Sequence, residues 1–203
     1  MFNKLFDFIS NQFSNPHGFF GKISTFIMNK LNKKQYKFIL DNIKIENGDI
    51  ILDIGFGNGY LIKKLISNNS NNSNNSKSFK SFKSYESFKN SKNSKSKSFK
   101  DSKNLKKIYG IDISQDMVNQ TKQKFKKEII DNKIDLKIGD VKDLDFENNY
   151  FNKIYTVNTI YFWNDLEKSF SEIYRTLNNG GIFLNVIYSK EWLSKLKVTD
   201  NYF

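Results

Sequence analysis

The chain has 203 residues, which fits one ordinary domain, a formal net charge of +12 and no cysteine. Lack of cysteine excludes a disulfide framework, a thiolate zinc site and a cysteine nucleophile, and the single His17 leaves no two-histidine metal site and argues against a Ser-His-Asp triad. No run of about 18 apolar residues exists and the N-terminus carries no leader pattern, so a soluble cytoplasmic protein with no membrane contact is expected.

Phe2, Leu5, Phe6, Ile9 and Phe13 recur at helical spacing and predict an amphipathic first helix. Asn15-Pro16-His17-Gly18 reads as a turn. Ile23, Phe26, Ile27, Leu31, Phe38 and Leu40 predict further helix, which the turn at Glu46-Asn47-Gly48-Asp49 closes. Residues 1–47 are therefore expected to form a helical lid or cap on a domain spanning 48–203. Packing is favoured over membrane anchoring for the first helix, because Asp7 and scattered asparagines dilute its apolar face.

Ile50 to Ile54 is a short β-branched run cut off by Gly55, which predicts a buried strand, and Leu61 to Ile66 resumes with helical spacing. From Asn68 to Lys103 the composition changes to Ser, Asn and Lys, and this segment is predicted to be a disordered insert. Its nine lysines against Glu86 and Asp101 supply +7 of the +12, so the remainder is only mildly basic, about +5. Phe79, Phe82, Tyr85 and Phe88 recur every three residues among those lysines, a pattern that suits RNA stacking as well as an expanded surface repeat. The repeat is the preferred reading.

Lys107 to Asp112 predicts a second strand, and Ser114 to Ile130 a long helix with Ser114 as N-cap. Lys133 to Gly139 and Lys153 to Val157 predict the third and fourth strands. Leu166 to Leu177 predicts a helix stopped by Gly180-Gly181, and Ile182 to Tyr188 a fifth strand. Strands alternating with helices predict an α/β fold, a mostly parallel sheet with helices on both faces.

The segment with most chemical content is Asp53-Ile54-Gly55-Phe56-Gly57-Asn58-Gly59. Glycines between a buried strand and a helix let the backbone turn sharply and approach a ligand beside the helix N-terminus. A dinucleotide fingerprint would need glycine three positions after Gly57, where Tyr60 stands. No Gly-Lys-Ser/Thr follows either, so a phosphate P-loop is excluded. The loop fits a nucleoside without a pyrophosphate better than NAD or ATP.

This Asp-x-Gly-x-Gly-x-Gly run resembles the cofactor loop of the Rossmann-like (class I) S-adenosylmethionine-dependent methyltransferases of type 11. The resemblance implies S-adenosylmethionine as cofactor, held around Asp53, Gly55, Phe56, Gly57 and Gly59, with the Asp53 carboxylate suited to the cofactor's ammonium group. It places Asp112, beside Ile113, on both ribose hydroxyls. Asp112 lies 53 positions after Gly59, or 17 once the 36-residue insert is discounted, close to the usual offset of about 20. Gly139-Asp140-Val141 looks like the family's adenine corner, and Met117 stands where an apolar residue packs on the ring. Glu172 to Gly181 looks like the family's Glu-x-x-Arg-x-Leu-x-Pro-Gly-Gly stretch, with Asn179 in place of proline. Asn152 stands where an aspartate is often seen.

By the same resemblance, Asn15 to Gly21 with Met28-Asn29 resembles the leading segment of small bacterial-type members, a lid over the cofactor. Asn158 is placed on the cofactor's methionine part, and Tyr161 and Trp163 line the acceptor pocket, with His17 as a base candidate on the lid. The acceptor implied is a small molecule, and nucleic acid is not favoured. Two alternatives are an RNA methyltransferase using the insert and a cofactor-binding homologue without catalysis. The family's closing antiparallel hairpin after the fifth strand is expected to be missing, because the chain stops at Phe203.

Overall fold

The structure, a computed structural model, describes residues 31–71 and 105–189. The predicted first helix, the turn holding His17 and most of the 68–103 insert lie outside the described residues. In chain order come α1 (Lys33–Asn42), β1 (Ile50–Ile54), α2 (Tyr60–Asn71), β2 (Lys107–Asp112), α3 (Gln115–Lys124), α4 (Lys126–Ile130), β3 (Ile134–Ile138), β4 (Phe151–Val157), a 3-10 turn at Ile160–Phe162, α5 (Leu166–Thr176) and β5 (Leu177–Val186). The strands form one parallel sheet in the order β3-β2-β1-β4-β5. The predicted α/β class holds, and its strands all run parallel.

Side-chain alternation along the strands sorts their residues into two cores. Ile51, Ile108, Ile134, Leu136 and Tyr155 join Ile39 of α1, Leu61, Ile62 and Leu65 of α2 and Val118 of α3 in one of them. Leu52, Ile54, Ile111, Phe151 and Ile154 join Val141, Leu144 and Ile173 of α5 in the other. Each such side chain stabilises the fold by about 1.5–3 kcal/mol relative to exposure. Burial on both faces is why β1 reads as an apolar run rather than as an alternating pattern.

The alternation slips once. Phe151 and Ile154, three residues apart, share a core, and the pairing with β5 jumps from Phe151–Leu177 to Lys153–Ile182. Residues 178–181 form the excess on the β5 side, so the glycine pair expected to stop a helix instead lies within β5. Gly180 there takes φ +77. The helix has already ended at Thr176, whose hydroxyl donates to the carbonyl of Glu172.

Two other expectations are corrected. The helix predicted over 114–130 is two helices, broken at Phe125 (φ −108, ψ 25), whose ring is buried in the core. The predicted N-cap at its start is present: Ser114 Oγ accepts from the Met117 N–H at 3.4 Å. The segment expected to be disordered from Asn68 is helical at its start, because α2 runs through Asn71.

At the N-terminal end of the sheet, Asn152 Oδ1 accepts from the Ile50 N–H, and Lys153 makes a buried ion pair of 2.5 Å with Asp49. Both tie β4 to the start of β1. The opposite end carries the site.

Candidate functional site

In this strand order the chain leaves β1 toward β2 on one side and later fills the other side with β4. Open α/β sheets take ligands in the crevice at such a switch point, beyond the C-terminal ends of the strands. A cleft lies there, lined by Asp53, Gly55, Phe56, Gly57, Asn58, Asp112, Ile113, Gly139, Asp140, Val141, Asn158, Thr159 and Trp163, with Asn32 and Tyr36 of the α1 segment closing one side.

The glycine loop is shaped by contacts on three sides. Gly55 has φ +74, and a Cβ there would stand 2.4 Å from Thr159 Cγ2. Gly57 has φ +51 with open space where a side chain would be, so its backbone stays approachable. Gly59 serves packing: an added Cβ would meet Phe125 at 2.6 Å and Thr121 at 2.7 Å. Phe56 is buried against the bare face of Gly110 in β2.

Asp112 closes the loop from the neighbouring strand. Its Oδ2 accepts from the Gly57 N–H at 2.8 Å and its Oδ1 from the Ser114 N–H at 2.9 Å. Each carboxylate oxygen keeps a second lone pair for a ligand hydroxyl. Burial raises its pKa, against the pull of the Ser114 and Gly57 N–H groups.

Asp53, 4% exposed at the end of β1, accepts from the Tyr155 hydroxyl at 2.8 Å. Burial pushes its carboxyl up to about 8; the Tyr155 bond opposes the shift and the charge of Asp112 adds to it. Asp53 forms no ion pair among the described residues. On the third side, Gly139 N–H donates to the Asp112 carbonyl, which brings Asp140 and buried Val141 to the cleft. Asp140 Oδ1 accepts from the Lys142 N–H at 3.2 Å, and Lys142 Nζ stands 3.4 Å from its other oxygen.

Beyond β4 the polar groups satisfy one another. Asn158, at φ +57, donates through Nδ2 to Asn32 Oδ1 at 2.9 Å and accepts at Oδ1 from the Tyr188 N–H at 3.1 Å. The Tyr188 hydroxyl also donates to Asn32 Oδ1, at 2.9 Å, and Tyr36 hydrogen-bonds the same side chain. Burial pushes the Tyr36 and Tyr188 hydroxyls up to about 12, so both stay protonated. The Tyr161 hydroxyl accepts from the Tyr188 N–H at 2.7 Å.

The residues matched to the Glu-x-x-Arg stretch act in the scaffold. Arg175 pairs with Glu172 at 2.7 Å and donates to the carbonyls of Leu144 and Phe146, while Glu172 accepts from the Leu144 N–H. This fastens the connection that carries Asp140 and Val141. The Arg175 guanidinium holds the Glu172 carboxyl below the usual carboxylate range.

Residues 92–185 match the methyltransferase domain family. An uncharacterized methyltransferase of Bacillus subtilis, YdaC, is 23% identical over 78% of this chain and 67% of its own length. Demethylmenaquinone methyltransferase of Bacteroides fragilis is 38% identical over 37% of this chain and 31% of its own. Among solved structures, the Haloferax volcanii methyltransferase complexed with the Trm112 activator superposes with a TM-score of 0.56, at 20% identity over 84% of this chain and 64% of that one. Geranyl diphosphate C-methyltransferase of Streptomyces coelicolor gives 0.55, at 15% identity over 82% and 51%. The match to the methyltransferase domain family thus covers residues 92–185, and the fold is shared with solved methyltransferases. The chain spans about two thirds of the length of YdaC and about a third of the length of the demethylmenaquinone enzyme.

In this cleft the structure brings together ten of the residues singled out in the sequence: Asp53, Gly55, Phe56, Gly57, Asp112, Ile113, Asp140, Val141, Asn158 and Trp163. Gly59, Met117 and Tyr161 stand off its wall. Met117 is buried on α3, and Tyr161 is tied to Tyr188. Lining residues that the sequence reading gave no role in the site include Asn32, Tyr36, Tyr60, Thr159, Phe162 and Asn164. Tyr36 and Tyr60 stack at 5.0 Å between ring centroids. A polar Asn32 inside an apolar helical pattern was the one available signal for that side.

Proposed function

We propose that the chain transfers a methyl group from S-adenosylmethionine to a small-molecule acceptor bound at the mouth of this cleft. The observation that carries the proposal is Asp112, brought from beyond the insert to 2.8 Å from Gly57 at the switch point, with lone pairs to spare. The donor set fits the cofactor group by group. Asp112 suits a pair of ribose hydroxyls, Asp140 with the Val141 backbone suits an adenine edge, and buried Asp53, with no ion pair among the described residues, suits an ammonium group.

The sulfonium supplies an activated methyl group, so the protein has little covalent work to do. What its residues contribute is alignment and exclusion of water. Phe56 and Val141 give the cleft an apolar floor, while Phe162 and Trp163 offer rings to an acceptor on the β4 side. Tyr36 and Tyr60 wall the other side. Two of the similar proteins, a demethylmenaquinone and a geranyl diphosphate methyltransferase, support an organic small molecule as acceptor.

Calorimetric titration with S-adenosylmethionine, S-adenosylhomocysteine and NAD tests the cofactor. Binding of the first two without NAD is expected, because Tyr60 occupies the position of the third dinucleotide glycine. NAD binding with no response to either sulfur compound overturns the proposal. A labelled-methyl screen over small acceptors and RNA then separates the acceptor classes.

A further inference from the structure

Asp53 is a carboxylate withdrawn from water, and such groups are normally paired with a cation, well hydrogen-bonded or neutral. Its side-chain partner is an uncharged phenol, the hydroxyl of Tyr155 at 2.8 Å. Tyr155 is 0% exposed and pairs directly with Asp53 in the β1–β4 register. Phenylalanine would fill the same space in the sheet core without burying a hydroxyl, and a buried hydroxyl is tolerated where it has a partner. The pair therefore points at the cleft rather than at packing.

We propose that Tyr155 is a positioning residue for the cofactor: its hydroxyl fixes Asp53 so that the carboxylate's remaining lone pairs receive the ammonium group of the cofactor's amino-acid portion. The inference rests on the cofactor reading above. Tyr155 touches no cofactor atom and acts through Asp53. Its donated hydrogen bond favours the ionised carboxylate, the form that an ammonium group needs.

Two ligands separate positioning from packing. S-Adenosylhomocysteine carries the ammonium group, whereas 5′-methylthioadenosine keeps the nucleoside and lacks the amino acid. Tyr155→Phe is expected to weaken S-adenosylhomocysteine about tenfold, the scale of one hydrogen bond to a charged group, and to leave methylthioadenosine within about twofold. Equal losses for both ligands, or no loss for either, overturn the proposal. Wild-type binding of S-adenosylhomocysteine would in that event still uphold the cofactor reading, so the two failures are distinguishable. Should Tyr155→Phe not fold, 3-fluorotyrosine placed at position 155 keeps the ring and hydroxyl but acidifies the phenol. It is expected to tighten S-adenosylhomocysteine alone, and an unchanged affinity overturns the proposal.

Discussion

The two sides of the cleft use polar groups in opposite ways. On the β1–β2 side, Asp53 and Asp112 are held in place yet keep lone pairs unspent among the described residues, with no ion pair among them. On the β4–β5 side, Asn32, Asn158, Tyr161 and Tyr188 bond to one another and to the backbone. Buried polar groups that complete one another rigidify a structure, while those left incomplete await a ligand. The first side is the one we propose to bind the cofactor. The second is a latch that holds α1 over the cleft. Asn158, expected on the cofactor, has its amide engaged in that latch.

Mutations should divide along the same line, stability on one side and binding on the other. The largest effect is expected from Asn32→Leu. It removes the acceptor shared by Asn158 Nδ2 and the Tyr188 hydroxyl, and with it a hydrogen-bond partner of Tyr36; stranded buried polar groups cost about 1–3 kcal/mol each. A stability loss of about 3 kcal/mol is expected by urea denaturation. A stable variant with weakened cofactor binding would instead move Asn32 to the binding side.

Asp112→Ala should do the reverse. Two ribose hydroxyls would lose a charged acceptor in a buried setting, weakening cofactor affinity by about 2 kcal/mol by calorimetry. An unchanged affinity in a folded variant would reduce Asp112 to a loop tie between the Gly57 and Ser114 N–H groups.

The glycine-loop side of the cleft was legible in the sequence because its signals are local. The glycine spacing from Gly55 to Gly59, and an acidic residue ending the next strand, are readable once the 36-residue insert is discounted. The latch was not legible, since it joins residues 126 positions apart through neutral side chains that occur anywhere in a chain. Helix and strand limits failed where tertiary packing overrode local signals. Burial of Phe125 breaks the predicted long helix, and Gly180-Gly181 sits in the β4–β5 irregularity rather than ending a helix. Gly59 was read as a ligand glycine, whereas contact with Thr121 and Phe125 explains it.

Asp53 offers a pH test of the incomplete side. Its carboxyl lies at about 8 in the fold against an ordinary 3.8, so between these values the folded chain holds a proton that the unfolded chain has lost. Stability should therefore fall as pH rises from about 4 to about 8 and level off above that. The groups facing it are Tyr155 on β4, Asp112 on β2 and Tyr36 on α1, and none supplies a positive charge. Asp53→Asn removes this slope, so its melting temperature should exceed that of the wild type by several degrees near pH 8 and converge with it near pH 4. Parallel curves for the two proteins would show that Asp53 is ionised throughout the range. Cofactor binding, which supplies an ammonium group, should release a proton at neutral pH, and calorimetry in buffers of different ionisation enthalpy reads that release.

The smallest effect is expected from replacing residues 72–104 with a short glycine–serine linker. The replaced stretch leads from α2 to the start of β2, where Lys107 pairs with Ile50 and the Lys106 N–H donates to the Asp49 carbonyl. That is the end of the strands opposite the glycine loop, so neither side of the cleft loses a contact seen in the structure. Loop-closure free energy changes by only about 0.6 kcal/mol for each doubling of length, so melting temperature and cofactor affinity should stay nearly the same. The net charge drops from +12 to +5, because the replaced residues carry nine lysines against Glu86 and Asp101. Non-specific binding to nucleic acid should weaken and become less salt-dependent as those phosphate-neutralising charges go. A shortened protein that keeps the cofactor but loses methyl transfer to RNA would overturn the small-molecule acceptor. The acceptor contact would then belong to the lysine- and phenylalanine-rich stretch, whose rings and charges suit stacked bases and phosphates.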